Sequence, residues 1–192
     1  DTARGVRIGL RYDPGIKPGV LVLPITGAHG DSIRTIIQRD LDFSDRFSVI
    51  SLSAPDAALF EARAPSGAPV PLNYDLFARL GAAGVIKITP TATGLHVALY
   101  DVGRKQVGSV EDFAVTATAL GRDWRHAIHR VSDAVEGWIT GQRGIAGSRI
   151  AFVRGNVVRV VDSDGAEEVS LPEAGEAMSP SWHPNGHLIA YN

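Results

Sequence analysis

The sequence predicts an α/β (α+β) chain: a mixed sheet with helices packed on it, in the order βαβαβββα, followed by one β-propeller blade, single or incomplete. Three observations predict it. Amphipathic helical stretches alternate with short apolar runs in the first part of the chain. Three strand-like segments then follow one another before the last helix, and from Ser148 the pattern becomes purely β. With 44% hydrophobic residues among 192, the chain has enough apolar surface for one domain of ordinary size and something smaller attached.

The segment VRIGLRYDPGIKPG (Val6–Gly19) opens on a short apolar alternation and runs into Pro14, Gly15, Pro18 and Gly19. It reads as an edge strand followed by a pliable connector. GVLVLP (Gly19–Pro24) is a continuous apolar run, the signature of a central strand buried on both faces. After it, Asp31 or Ser32 caps a helix that sets Ile33, Ile36, Ile37 and Leu41 on one face and charged residues opposite. RFSVISL is the next strand, and the Pro-rich SAPDAALFEARAPSGAPVP reads as a surface loop with at most one helical turn.

Asn73 caps a short helix with Leu76, Phe77 and Leu80 inward, ended by Gly81 or Gly84. GVIKITP, GLHVALYDV and QVGSVEDFAVTA form a meander, with turns at Thr93-Gly94 and Gly103-Arg104-Lys105. RDWRHAIHRVSDAVEGWITG lines up Trp124, Ile128, Val131, Val135, Trp138 and Ile139 on a wide apolar face, and Gly141 and Gly144 end it. Beyond Ser148 come RIAFVR, a turn at Gly155-Asn156, VVRVVD, the turn Asp162–Gly165, EEVSL, and SPSWHPNGHLIAYN with its Pro-Asn-Gly turn. Four short strands in about 40 to 45 residues is the length of one propeller blade. The expected divisions are an amino-terminal strand or switch segment at 1–18, an α/β domain at 19–144 and a blade at 148–192.

Nineteen basic against twenty-one acidic residues leave a net charge of -2 without like-charged blocks, which argues against a nucleic-acid partner or a polybasic membrane patch. No apolar run approaches the roughly 18 to 20 residues of a membrane span, so no direct membrane insertion is expected. The absence of cysteine excludes disulfides, thiol catalysis and thiolate-bound metal. The chain opens at Asp1 with neither Met nor an apolar signal core, as expected of a processed or trimmed chain.

Chemistry-bearing constellations are few. His126 and His129 have the helical i, i+3 spacing of two metal ligands, but the sequence supplies no evident carboxylate or third His, and solvated helix-edge histidines are the favoured reading. His183 and His187 flank a hairpin turn, and Asp162, Asp164 and Gly165 lack the later ligands of a calcium loop. The adjacent pairs Glu111-Asp112 and Glu167-Glu168 point to opposite faces if they lie on strands. There is no nucleophile elbow, phosphate loop or dinucleotide fingerprint. The sequence therefore assigns no catalytic residue, no metal and no cofactor. Its best site candidate is the segment Val6, Arg7, Ile8, Gly9, Leu10, Arg11, Tyr12 and Asp13. There the alternating Val6, Ile8 and Leu10 suit strand addition to a partner, with a plain edge strand of the domain as the equal alternative.

MSPSWHPNGHLIAYN resembles the repeat of TolB-type propellers, Ser-Pro-x-Trp-Ser-Pro-Asp-Gly-x-x-Ile/Leu-Ala-Tyr, with His183 in place of the usual Ser and Asn185 in place of the usual Asp. VRIGLRYDPGIKPGVLVLP, the helix from Asp31 to Phe47 and DWRHAIHRVSDAVEGWITGQRGIAGSRIAFV resemble, in order, the family's mature start, its first helix, and its last amino-terminal helix with the lead-in to the first blade. The resemblance implies a non-catalytic periplasmic adaptor of the Tol-Pal system, serving outer-membrane integrity and constriction at division. It implies contact with the inner-membrane protein TolA through Val6–Asp13, and with the lipoprotein Pal through a six-bladed propeller of which this chain resembles the start. A rival reading is the front part of a propeller-bearing serine hydrolase or peptidase. Exposed edges of a lone blade also invite self-association.

Overall fold

The structure, a computed structural model, describes residues 15–52, 72–171 and 178–192. The apolar run near the start forms β1 (Gly19–Val22), which pairs in parallel with β2 (Ser48–Ile50) on one side and β3 (Ala82–Pro90) on the other. β4 (Gly94–Asp101) and β5 (Gln106–Ala114) continue the sheet as antiparallel neighbours, giving the order β2-β1-β3-β4-β5. The order βαβαβββα expected from the sequence is the order observed.

Because strand side chains alternate, a run apolar at every position feeds two cores. Val20 and Val22 join Ile86, Ile88 and Val97 beneath α1 (Gly30–Phe43) and α3 (Arg122–Thr140), which contribute Ile33, Ile37, Leu41, Ile128, Val131 and Val135. Leu21 and Leu23 face the other way, onto Phe77 of the short α2 (Tyr74–Arg79) and onto Ala82, Val85 and Val102. Each of these side chains other than Ala82 gains about 1.5–3 kcal/mol from burial.

The helix starts correct part of the reading. α1 begins at Gly30 behind His29, which takes a left-handed conformation (φ 60°) without a side-chain cap, so neither Asp31 nor Ser32 is the cap. Asp31 instead sits in the first turn, where a carboxylate is favoured by the helix dipole. Asn73 does cap α2, its Oδ1 accepting from the Leu76 N–H at 3.1 Å. Gly81 (φ 82°) follows α2, whereas Gly84 lies inside β3. Asn73→Ala is expected to cost about 1 kcal/mol, measurable as a lower thermal midpoint. The strand expected at Val6–Leu10 and the whole of the Pro-rich loop lie outside the described residues.

The chain divides into two units, Asp1–Gly144 and Ile145–Asn192. In the second, β6 (Arg149–Arg154), β7 (Val157–Asp162) and β8 (Val169–Ser170) form an antiparallel sheet, β6 and β7 being joined by Gly155 and Asn156 at φ 59° and 60°. Those angles are the primed turn that matches strand twist. β9 (Ser181–Trp182) and β10 (Ile189–Ala190) form a separate hairpin rather than a fourth strand of that sheet. The sequence carries the reason: Gly-x-x-Ile-Ala-Tyr, ending at Tyr191, repeats the Gly-x-x-Ile-Ala-Phe that starts at Gly147, so β10 is the counterpart of β6. Val158 is the buried centre of this unit, with Leu171 and Ile189 packed on it.

Candidate functional site

The residues Val6, Arg7, Ile8, Gly9, Leu10, Arg11, Tyr12 and Asp13 lie outside the described part of the structure. The chain from Ile16 onward is anchored within a few residues. Ile16 is 70% exposed, Lys17 forms an ion pair with Asp45, and the Pro18 carbonyl accepts from the Ser48 N–H at 3.1 Å. At Gly19 a Cβ would stand 2.1 Å from the Gly81 carbonyl oxygen, a contact no side chain survives. Pro18 and Gly19, read from sequence as part of a pliable connector, are therefore a fixed anchor, because β2 and the turn before β3 close over them.

The one concentrated set of buried polar groups among the described residues lies between α1 and α3. Asp40 of α1, 8% exposed, holds His129 and Ser132 of α3, which are 3% and 2% exposed. His129 Nδ1 is 2.8 Å and Ser132 Oγ 2.7 Å from the same Asp40 oxygen, Oδ2. An ionised carboxylate only accepts, so both partners donate to it. This overturns two expectations: His129 is not a solvated helix-edge residue, and a carboxylate does face it, from the other helix. His126 lies beside it, ring centroids 6.4 Å apart, yet no group of three or more His, Cys, Asp or Glu gathers as a metal site among the described residues. The serine hydroxyl bonds to the carboxylate and not to the imidazole, so the set lacks the relay of a nucleophilic triad. It is a buried clamp between two helices.

A turn further along, Arg46 Nη1 lies 3.2 Å from Glu136 Oε1, and Glu136 is 6% exposed. Burial, opposed by Arg46 and reinforced by Asp133, holds the Glu136 carboxyl above its ordinary 4.5. The folded state thus binds this proton more tightly than the unfolded chain. The stability it contributes is complete below 4.5 and is lost as pH rises through the elevated native value. Urea unfolding of Glu136→Gln beside the parent should show the difference moving in favour of the variant from acidic to neutral pH.

The remaining constellations build turns and surface ion pairs. The Asn185 N–H donates to His183 Nδ1 at 3.2 Å and the His187 N–H to Asn185 Oδ1 at 3.0 Å, which builds the β9–β10 turn. The Ala166 N–H donates to Asp164 Oδ1 at 2.9 Å and the Gly165 N–H to the Asp162 carbonyl at 2.8 Å, closing the turn after β7. Glu167 and Glu168 precede β8 rather than lying in a strand, and Glu168 pairs with Arg154 and Arg159. The polar positions of the clamp were visible on the apolar stripes of α1 and α3, between Ile37 and Leu41 and between Ile128 and Val135. Only the fold shows that the two stripes meet.

No protein-family profile matches the chain. Among curated relatives, it is 29% identical to the Tol-Pal system protein TolB of Acinetobacter baylyi over 188 residues, covering 93% of this chain and 42% of the relative. It is likewise 29% identical to TolB of Legionella pneumophila strain Philadelphia 1 over 210 residues, 99% of this chain and 46% of the relative. A shorter stretch of 112 residues is 35% identical to TolB of Polaromonas sp. strain JS666, covering 54% of this chain and 25% of the relative. The crystal structure of TolB from Acinetobacter baumannii superposes with a TM-score of 0.70 at 28% identity, over 92% of this chain and 44% of that one. The chain spans less than half the length of these relatives. In sequence and in fold alike, the chain is similar to TolB, the Tol-Pal system protein, across most of its own length.

Proposed function

We propose that the chain is a non-catalytic, periplasmic adaptor of the Tol-Pal system. In this reading Val6–Asp13 is the segment that engages a TolA-like inner-membrane protein, residues 148–192 begin a propeller, and that propeller in the full-length protein contacts Pal. The observation that carries it is the similarity to TolB over 92% of the chain at a TM-score of 0.70, in which an α/β unit is followed by short antiparallel strands. The physical support is the pattern at the start of the sequence: Val6, Ile8 and Leu10 alternate as an added strand requires, and they precede Lys17, Pro18 and Gly19, which anchor the described chain. Among the described residues no helix is long and apolar enough to cross a membrane. Among the described residues nothing pairs with the outer edge of β6, where Ile150 is 51% exposed; that edge is the place for self-association in this reading, and light scattering at rising concentration checks it.

Calorimetric titration of the 192-residue chain with the carboxy-terminal domain of the TolA-like protein of the same organism tests the reading. Saturable one-to-one binding is expected, and no heat of binding at high concentration would overturn it.

A further inference from the structure

β5 is the outermost strand of the five-stranded sheet and nine residues long, and among the described residues nothing pairs with its outer edge. Edges of this length are normally blunted by Pro, by charged side chains or by a bulge. β5 has no Pro and no Lys; its bulge falls at Gly108, where the register against β4 shifts between Leu99 and Tyr100, and its charges are the two carboxylates Glu111 and Asp112, which oppose an acidic or identical strand and leave the edge open to a basic one. From Ser109 to Ala114 the edge is regular, and its backbone N–H and C=O groups on that side can serve as a template for another strand.

The side chains along this edge select what lands there. Val110 is 50% exposed, and Glu111 and Asp112, also exposed, point to opposite faces, so an added strand meets a carboxylate on each face. β5 carries no basic residue. Asp112 is already engaged on the β4 side, its Oδ1 meeting His96 Nδ1 at 2.6 Å, and its second oxygen is the one an incoming basic side chain meets. A second copy of β5 centred on these residues would set carboxylate against carboxylate, which disfavours self-pairing.

The geometry points to Ser109–Ala114 as a docking edge for an extended segment of a partner protein with an apolar-basic-basic-apolar core. Its backbone adds a sixth strand, its basic side chains meet Glu111 and Asp112 on the two faces, and its apolar ones lie beside Val110 and Phe113. This site is separate from Val6–Asp13 and stands whether or not the adaptor reading does.

The probe is a blocked synthetic peptide, Ser-Thr-Val-Arg-Arg-Val-Thr-Ser, titrated into the full chain and followed by backbone amide NMR. Shifts concentrated on Ser109–Ala114 are expected. Methylation of alternate peptide nitrogens, or the variant Glu111→Lys/Asp112→Lys, should weaken binding by about tenfold or more. Both substitutions are at exposed positions, and an otherwise unchanged amide spectrum verifies that the variant folds. Shifts elsewhere, no binding at millimolar peptide, or equal binding of the methylated peptide would overturn the proposal, the last by showing attraction of charge without strand pairing.

Discussion

Asp40→Ala is expected to destabilise the protein by roughly 2–5 kcal/mol, the cost of removing one member of a buried hydrogen-bonded set. His129 would lose the carboxylate oxygen at 2.8 Å and the Ser132 hydroxyl would be left with the longer contact to the Ile128 carbonyl at 3.5 Å, inside a seam where all three residues are under 9% exposed. For a domain whose total stability is on the order of 5–15 kcal/mol, that loss is close to the threshold of folding. Urea unfolding measures it. Replacing the whole set, Asp40→Leu with His129→Leu and Ser132→Ala, should recover most of the loss, because apolar groups of similar volume make no polar demand. A cost below about 1 kcal/mol for Asp40→Ala would mean that the seam is hydrated and is not a clamp.

Phe77→Ala should cost a similar amount, about 3–5 kcal/mol, by a different mechanism. Phe77 is fully buried, yet it stands on a helix of only six residues and is the largest fully buried side chain in the structure. It fills the second core against Leu21, Leu23, Ala82, Val85 and Val102, with Ile50, Leu52, Leu72 and Tyr100 around them. So short a helix holds its place through what it buries and not through its own hydrogen bonds. Phe43→Ala is the matched control: the same chemical change at a position 75% exposed loses the Arg39 guanidinium 5.5 Å from the ring centroid and should shift stability by no more than about 1 kcal/mol.

The elements that were legible in the sequence share one property: their pattern is local. The unbroken run from Val20 to Leu23 could only be a strand covered on both faces, and both faces are covered. Asn73 announced its helix by side-chain chemistry alone. The features that were not legible depend on contacts between distant residues. Asp40 looked like one more charge on an amphipathic helix, and only the packing of α1 on α3 brings it to His129, 89 positions away. His29 gives no cap signal: its side chain makes no cap hydrogen bond and packs edge-on to Trp124, while the Gly30 N–H closes back on the Gly27 carbonyl at 3.3 Å. β9 and β10 were read with the preceding strands because strand pairing is not written in period-two alternation. The repeat of Gly-x-x-Ile-Ala-aromatic was the available signal that β10 resembles β6 instead of extending the sheet of β6, β7 and β8.

At the candidate site, the motif order that resembles TolB carried more than any single residue, because it runs through almost the whole chain while each motif is short. The claim that rests on it most heavily is that Val6–Asp13 makes the partner contact. The most direct measurement is a side-by-side titration of the full chain and its Ile8→Glu variant with the carboxy-terminal domain of the TolA-like protein. A charge at Ile8 interrupts the apolar face of the added strand without touching the residues from Lys17 onward that anchor the domain. Binding by the parent chain, with affinity reduced by about tenfold or more in Ile8→Glu, is the predicted result. Equal affinity of the two chains would contradict it and move the contact elsewhere on the protein.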